Sequence, residues 1–338
     1  MITMLDVAKR AGVSKATVSR VLTGNNYVRQ STKDRVFKAI EEMGYRPNLL
    51  ARQLATNKSQ SIGLVVTNTL YNGPYFNELL FQTATMTEQH GRQLILADGK
   101  HSAEEERQAI EFLLDLRCDA VIIYPRFLSI AALESIIEQH EQPIMVVNRK
   151  LNHHEENGIC ANHQLHCFDA VTYLIDQGHR DIAFILGASG SPTGESRLAG
   201  YRQALAAQGI ACNDERLVEG DWTPESGYAA VKTLYQRGVT FSALVASNDD
   251  MAIGAAKAFR EKGITIPDDV SLLGFDDLPM ASWSHPPLTT VHVPVAEMIK
   301  RTLEKLLCML DGKIATPSPT FQGSLIIRES VGKGPAAR

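Results

Sequence analysis

The chain has no run of eighteen consecutive apolar residues, so no segment has the length that spans a bilayer as a helix. Its first residues, MITMLDVAKRAGV, have no apolar core and no small-residue cleavage site, which argues against a secretory signal. Cysteine is sparse: Cys118, Cys160, Cys167, Cys212 and Cys308 are odd in number and scattered. That pattern is no disulfide framework and points to a reducing cytoplasm. Enzyme signatures are missing too, with neither G-x-S-x-G nor H-E-x-x-H present. GASGSPTG lies between a strand and a helix, as a phosphate loop would, but lacks G-x-G-x-x-G spacing and a Gly-Lys-Ser/Thr ending. It stands at most as a cue for a phosphorylated sugar. No catalytic residue and no cofactor are expected. The C-terminal GKGPAAR follows no leucine heptad, so a dimer is expected rather than a tetramer.

What is present is enough chain for two or three domains, 338 residues, with 44% hydrophobic and 21% charged. The net charge of -4 hides an asymmetry. Residues 1–60 carry eleven Lys and Arg against four Asp and Glu, a balance of +7, and the remainder holds -11. Only this basic block has the electrostatic footprint of a polyanion binder. A basic solvated surface is the bland alternative.

The basic block reads as helical. Leu5, Ala8 and Ala11 fall at helical spacing, and Gly12 breaks the run. Ser14 caps a second helix whose buried face is Val18, Val21 and Leu22. A third opens at STKD, where Ser31 and Asp34 form a variant capping box, and runs on with Val36, Phe37 and Ile40 until Gly44. Two helices joined by a tight glycine turn, with a third behind them, make a helix-turn-helix. In that motif the first residues of the second helix meet base edges. Lys15 can donate to guanine, Ala16 can pack on a thymine methyl, and Ser14, Thr17, Ser19 and Arg20 suit phosphates. A small helical bundle used for protein contact is the alternative, and it leaves the charge unexplained. Pro47 then permits a short helix from Asn48 to Ala55, too short to be stable alone, which orders on meeting a partner.

From Ser61 the texture becomes alternating strands and helices. SIGLVVT, QLILA, DAVIIY, PIMVV, DIAFIL, SALVAS and VSLLGF are strand candidates, separated by amphipathic stretches such as EEERQAIEFLLDL and MAIGAAKAFREKG. The expected class is α/β: doubly wound parallel sheets in two lobes behind an all-α headpiece. Ligands of such sheets lie at the carboxyl ends of strands, here TNTLYNGPYF, ADGKH, YPRF, VNRK, GASGSPTGESR, SNDD and GFDDLP.

MLDVAKRAGVSKATVSRVL and VRQSTKDRVFKAIEEMGYRPNLLARQLA resemble the headpiece of the lactose/galactose-type (LacI/GalR) repressor family. SIGLVVTN, GHRDIAFILG, SRLAGYRQAL, LVASNDDMAIGA and VSLLGFDD continue the likeness in order, over residues 2 to about 330. The resemblance implies a headpiece at 1–46, a hinge helix and linker at 47–60, a first lobe at 61–162 and 291–320, a second lobe at 163–290 and 321–332, and a tail at 333–338. It implies further DNA contacts by Thr3, Tyr27, Thr32, Asn48 and Ala55, and a minor-groove wedge at Leu54. It also implies a homodimer on a near-palindromic operator in double-stranded DNA, controlled by a small sugar between the lobes.

Sugar recognition calls for paired donors and acceptors plus an aromatic face. Arg197, Trp222, Asn248 and Asp276 match effector-binding positions of the family. Asn148 stands where the family often has aspartate, and Tyr75 and Phe76 resemble its pocket aromatics. Ala161 replaces a phenylalanine common among relatives. It leaves room for an aryl or second-sugar aglycone, which fits a β-glucoside. The alternatives are a ligand that acts as corepressor and a sugar binder with no DNA role. Arg197 and Asp276 could also simply pair with each other. CANHQLHC gathers Cys160, His163, His166 and Cys167, a chelating composition at an uncommon zinc spacing, read as coincidence with no metal expected.

Overall fold

The computed structural model describes residues 2–22, 27–45, 59–67 and 74–335, the side chains of Pro74 and Tyr75 excepted. The expected hinge helix, with Asn48, Leu54 and Ala55, lies outside the described residues. The chain divides into two compact units, one of residues 1–60 with the 117–119 turn and one of the rest.

The first unit is three helices: α1 (Met4–Ala11), α2 (Lys15–Leu22) and α3 (Gln30–Met43). Thr3 caps α1 through a reciprocal box with Asp6. Gly12, at φ 65°, ends it in the left-handed region that glycine adopts without strain. Ser14 Oγ accepts the Thr17 N–H at 3.1 Å and so caps α2. The core is Val7, Ala8, Ala11, Val18, Val21, Val36, Ala39 and Tyr45.

Three local expectations are corrected. Leu5 and Phe37 are about half exposed, at 50% and 52%, while Val7 and Ala39 are buried. At 100° per residue, Leu5 and Phe37 each sit roughly 110° from the centre of their helix's buried face. The Ser31/Asp34 capping box does not form. α3 begins at Gln30, so Ser31 is already inside the helix, and Asp34 accepts from Gln30 Nε2 at 2.8 Å.

The second unit holds two sheets. The first has β1 (Ser61–Val66), β2 (Gln93–Asp98), β3 (Ala120–Ile123), β4 (Ile144–Val147) and β5 (Gly158–Ile159). Their order is β2-β1-β3-β4-β5, all parallel. The second has β6 (Ile182–Leu186), β7 (Leu217–Glu219), β8 (Ala243–Ala246), β9 (Ser271–Asp276), β10 (Thr289–His292) and β11 (Ser324–Ile326), in the order β11-β10-β9-β8-β6-β7. Here β11 runs antiparallel to β10, a departure from the wholly parallel expectation. All seven strand candidates form strands. The four short strands at 158–159, 217–219, 289–292 and 324–326 escaped notice, because a two- to four-residue run carries no readable period.

Helices cover the sheets: α4 (Pro74–Gln89), α5 (Ala103–Asp115), α6 (Ile130–Gln139), α7 (His163–Asp176), α8 (Pro192–Ala207), α9 (Pro224–Gln236), α10 (Asp249–Glu261), the short α11 (Pro279–Trp283) and α12 (Val295–Leu310). α12 returns to the first lobe, where Met298, Ile299, Leu303 and Leu306 pack with Ile62, Leu64 and Met145. The chain therefore crosses between lobes three times. Two crossings differ slightly from expectation. Val291 and His292 still pair with β9, and Phe321 still bridges to Ala161 in the first lobe. Among the described residues no helix is long and apolar enough to cross a membrane.

Candidate functional site

The helix-turn-helix presents Ser14, Lys15, Ala16 and Arg20 to solvent at the start of and along α2, with Thr17 and Ser19 half-buried. The opposite face, Val18 and Val21, is wholly committed to the core. Tyr27 is 97% exposed, Thr32 is half-buried at the start of α3, and exposed Thr3 spends its hydroxyl on Asp6 at 2.7 Å. The polar face of α2 thus has the sidedness that groove reading needs.

In the second unit a cavity of about 450 Å³ opens at the strand ends of both sheets, a volume suited to a small ligand. Asn148, Arg197, Trp222, Asn248 and Asp276 all line it. Three strand-to-helix junctions and the helix α8 supply the second-lobe members. Asn248 follows β8 and caps α10, its Oδ1 accepting the Met251 N–H at 2.9 Å while its Nδ2 donates to the Trp222 carbonyl at 2.9 Å. Asp276 ends β9. Arg197 lies on α8, donating through Nη2 to Asp276 Oδ1 at 3.1 Å and through Nη1 to the Ser247 carbonyl. Its guanidinium stacks on the Phe275 ring at 4.4 Å and stands 6.0 Å from that of Trp222. Arg197 and Asp276 therefore do pair, and the same pair lines the cavity.

The first glycine of GASGSPTG has a steric role. A Cβ on Gly187 would lie 2.1 Å from Trp222 Cζ2, so only glycine lets the indole lie against this backbone. Four non-glycine residues here take left-handed backbone: Asn148 (φ 65°), Trp222 (74°), Asp276 (99°) and Asp277 (54°). Such conformations cost on the order of 1–3 kcal/mol each and gather where a site must hold groups in place.

Asn148 makes a contact across the cleft. Following β4 in the first lobe, it donates through Nδ2 to Tyr124 Oη at 2.7 Å and to Thr193 Oγ1, on α8 of the second lobe, at 3.1 Å. Its Oδ1 faces His163 Nε2 at 2.6 Å. With Asn148 Nδ2 as the donor, His163 carries its proton on Nε2, and among the described residues its buried Nδ1 has no partner. Burial, with Arg197 adding to it, holds the His163 pKa well below the usual imidazole value, consistent with a neutral ring. Burial, then Asp276 and Glu225, pushes the Asp250 carboxyl up to about 6.

Two expected lining residues are elsewhere. Phe76 is buried with Leu79 and Met298 in the first-lobe core. Ala161 is in that same core, bridged to Phe321, so its small side chain makes room for packing rather than for a ligand. The Tyr75 side chain lies outside the described residues. The CANHQLHC donors diverge: Cys160 meets Thr320, His163 meets Asn148, His166 accepts from the Gly323 N–H, and Cys167 is sealed in the second-lobe core, where burial pushes its thiol up to about 12. Among the described residues no His, Cys, Asp and Glu group is arranged to hold a metal.

The cavity also includes Tyr124, Arg126, Arg149, His163, Thr193, Asp221, Glu225 and Asp250, none named beforehand as effector ligands. Most of them sit in or beside segments the strand-end rule had marked, YPRF, VNRK, GASGSPTGESR and SNDD. Which side chain at each strand end turns inward was not legible.

Residues 3–48 match the model of bacterial regulatory proteins of the lacI family, and 171–331 match a periplasmic binding protein-like domain. The HTH-type transcriptional regulator AscG of Escherichia coli (strain K12) is 59% identical over 331 residues, 98% of both chains. The lac repressor dimer bound to operator and the anti-inducer ONPF superposes with TM-score 0.88 at 27% identity, over 98% of this chain and 99% of that one. A CelR–cellobiose complex matches with TM-score 0.72 at 28% identity, over 98% and 100%. Headpiece, two-lobed domain and end-to-end identity agree: this chain belongs to the LacI family of bacterial transcriptional regulators.

Proposed function

We propose that this chain is a dimeric, cytoplasmic repressor of a β-glucoside utilisation operon. It holds a near-palindromic operator until a glycoside enters the cleft between its lobes. The observation that carries this reading is the pair of cross-lobe contacts at the cavity mouth: Asn148 Nδ2 to Thr193 Oγ1 at 3.1 Å and Arg126 Nη2 to the Ser189 carbonyl at 3.2 Å. A ligand among these groups exchanges lobe-to-lobe bonds for bonds to itself. It thereby favours one arrangement of the lobes, and it acts only as far as it binds the two arrangements unequally.

The roles divide as follows. Asn248, Asp276 and Arg197 offer acceptors and donors to vicinal hydroxyls, Trp222 offers a ring face, and Asn148 links ligand occupancy to the opposite lobe. Lys15 and Ala16 read bases while Ser14, Thr17, Ser19 and Arg20 hold phosphates. Asn48, Leu54 and Ala55 serve at the operator centre, and Thr3, Tyr27 and Thr32 flank the recognition helix. The similarity to a solved CelR–cellobiose complex supports a glycoside ligand, and the 59% identity to AscG supports a transcriptional regulator.

The test is anisotropy of labelled DNA from beside the gene, at two salt concentrations, with salicin, arbutin, cellobiose and their 6-phosphates added in turn. Salt-sensitive binding released by a glycoside is the expected result. Tightening by a glycoside would reverse the sign of control. Absence of specific binding to any nearby fragment would remove the DNA role.

A further inference from the structure

The cavity is electrically lopsided. Its second-lobe wall carries Asp221, Glu225, Asp250 and Asp276, with Arg197 already paired to Asp276. The first-lobe wall carries Arg126 and Arg149, and among the described residues neither forms an ion pair. Arg149 donates to two backbone carbonyls, Asn148 O at 3.0 Å and Pro125 O at 2.9 Å. Arg126 donates to the Ser189 carbonyl alone. The nearby carboxylate of Glu106 does not reach them as a partner. Its oxygens accept the backbone N–H groups of Arg126, Phe127 and Leu128, at 2.6, 2.9 and 2.7 Å.

These two neighbouring, half-buried guanidiniums repel each other. Their hydrogen bonds go to carbonyls, Arg126 also stands 5.8 Å over the Phe127 ring, and Glu106 and Glu195 compensate them only from a distance, so an anion in direct contact would be favoured. Burial lowers the Arg149 pKa, with Arg126 adding to it and Tyr124, Glu106 and Glu195 opposing. The opening of α8 faces that wall from the second lobe: Arg126 reaches the loop that precedes it, and Thr193 lines the cavity. The sixteen-residue helix adds partial positive charge at that end, although Pro192 has no N–H and those of Gly194 and Glu195 are taken by Ser191.

We propose that the effector is anionic, a phosphorylated glycoside whose phosphate monoester lies against Arg126 and Arg149 while its hydroxyls face Asn248 and Asp276. This rests on the cleft being the effector site. A phosphate monoester near neutral pH carries close to two charges and three acceptor oxygens, against one charge and two oxygens for a sugar carboxylate. Two guanidiniums match the former.

The experiment is calorimetric titration of the full-length protein with salicin, salicin 6-phosphate, a phenyl β-glucuronide and inorganic phosphate, with operator release read in parallel. Salicin 6-phosphate is expected to bind at least about thirtyfold tighter than salicin. R126Q and R149Q should each remove about tenfold of that preference, within the range of one charge-assisted hydrogen bond. R126K and R149K keep the charge and should retain most of it, so the assignment survives a Gln variant that fails to fold. Equal or tighter binding of salicin overturns the proposal and leaves the cleft reading intact. A glucuronide that matches the 6-phosphate replaces phosphate by carboxylate and also overturns it. Response to inorganic phosphate with none to any glycoside means an adventitious ion only, and sinks the cleft reading along with the proposal.

Discussion

Arg197 and Arg149 line one cavity from opposite lobes, yet they are held in contrasting ways. Arg197 is sealed by the Phe275 ring beneath it, the Asp276 carboxylate beside it and the Ser247 carbonyl at its tip. Arg149 has carbonyl partners and no carboxylate. The first has its charge paired inside the fold, with only its buried Nε–H unpartnered among the described residues, and it also shows polar atoms to the cavity. The second is complete only when something else arrives. A charge in a cleft therefore says little about ligand chemistry until its partner is known, and the unpaired charge carries the information.

The largest expected effect tests the paired half. Asp276→Ala leaves a buried guanidinium unpaired and should lower unfolding stability by about 3–5 kcal/mol. Arg197→Met should cost less, because Asp276 can take up a proton and Arg197 cannot lose one. Burial already raises the Asp276 pKa, against the opposing pull of Arg197. Urea titration of both variants decides this, and a costlier Arg197→Met would mean that stacking on Phe275, rather than charge, holds the wall together.

Next comes the aromatic face. Trp222→Ala should weaken binding of an aryl glycoside about tenfold, the scale of one lost ring contact. Gly187→Ala should do nearly as much without touching the ligand, since its Cβ displaces the indole. Calorimetry with the salicin pair reads both. A Gly187→Ala protein that binds like wild type would show that the indole position is not what recognises the ring.

These effects show which parts of the molecule could be read in advance. The headpiece was legible because its logic is local: Gly12, Ser14 and Gly44 mark helix ends within a few residues of what they cap. Leu5 and Phe37 read as core because each helix buries only a narrow stripe, and a large residue beside that stripe looks like part of it. The strand ends were legible as places, since β-α alternation puts ligands there. The inward-facing side chain was not: Ala161 lies in the core, while His163, two residues on, reaches the cavity. Nor could spacing reveal that, among the described residues, Arg126 and Arg149 form no ion pair: Glu106 is spent on backbone groups, and Glu195 acts on them only from a distance.

A further substitution separates the two units. Lys15→Ala should weaken operator binding about tenfold or more, as the loss of a base-edge donor does, while calorimetric affinity for the glycoside stays within a few-fold. A large loss of glycoside affinity in Lys15→Ala would mean that the exposed face of α2 serves the cleft and not DNA.

The smallest effect is a pH trend at Asp250. Its folded-state pKa lies near 6, above the ordinary value of 3.8, because burial and the neighbouring Asp276 and Glu225 disfavour the charge. Between those two values the folded chain binds more protons than the unfolded one, so this group's contribution to stability is full below about pH 4 and is lost as pH rises through about 6. The buried histidines act the other way. Burial depresses the His166 pKa to about 4, so its contribution is full above the ordinary imidazole value of 6.5 and is lost as pH falls. The wild-type melting temperature mixes both trends, and the difference between wild type and Asp250→Asn isolates the first. Asp250→Asn should melt higher than wild type at pH 7, with the advantage shrinking toward pH 4. An advantage that is flat across this range would show that Asp250 is solvated like an ordinary surface carboxylate, and that the acidic wall opposite Arg126 and Arg149 is less crowded than its geometry indicates.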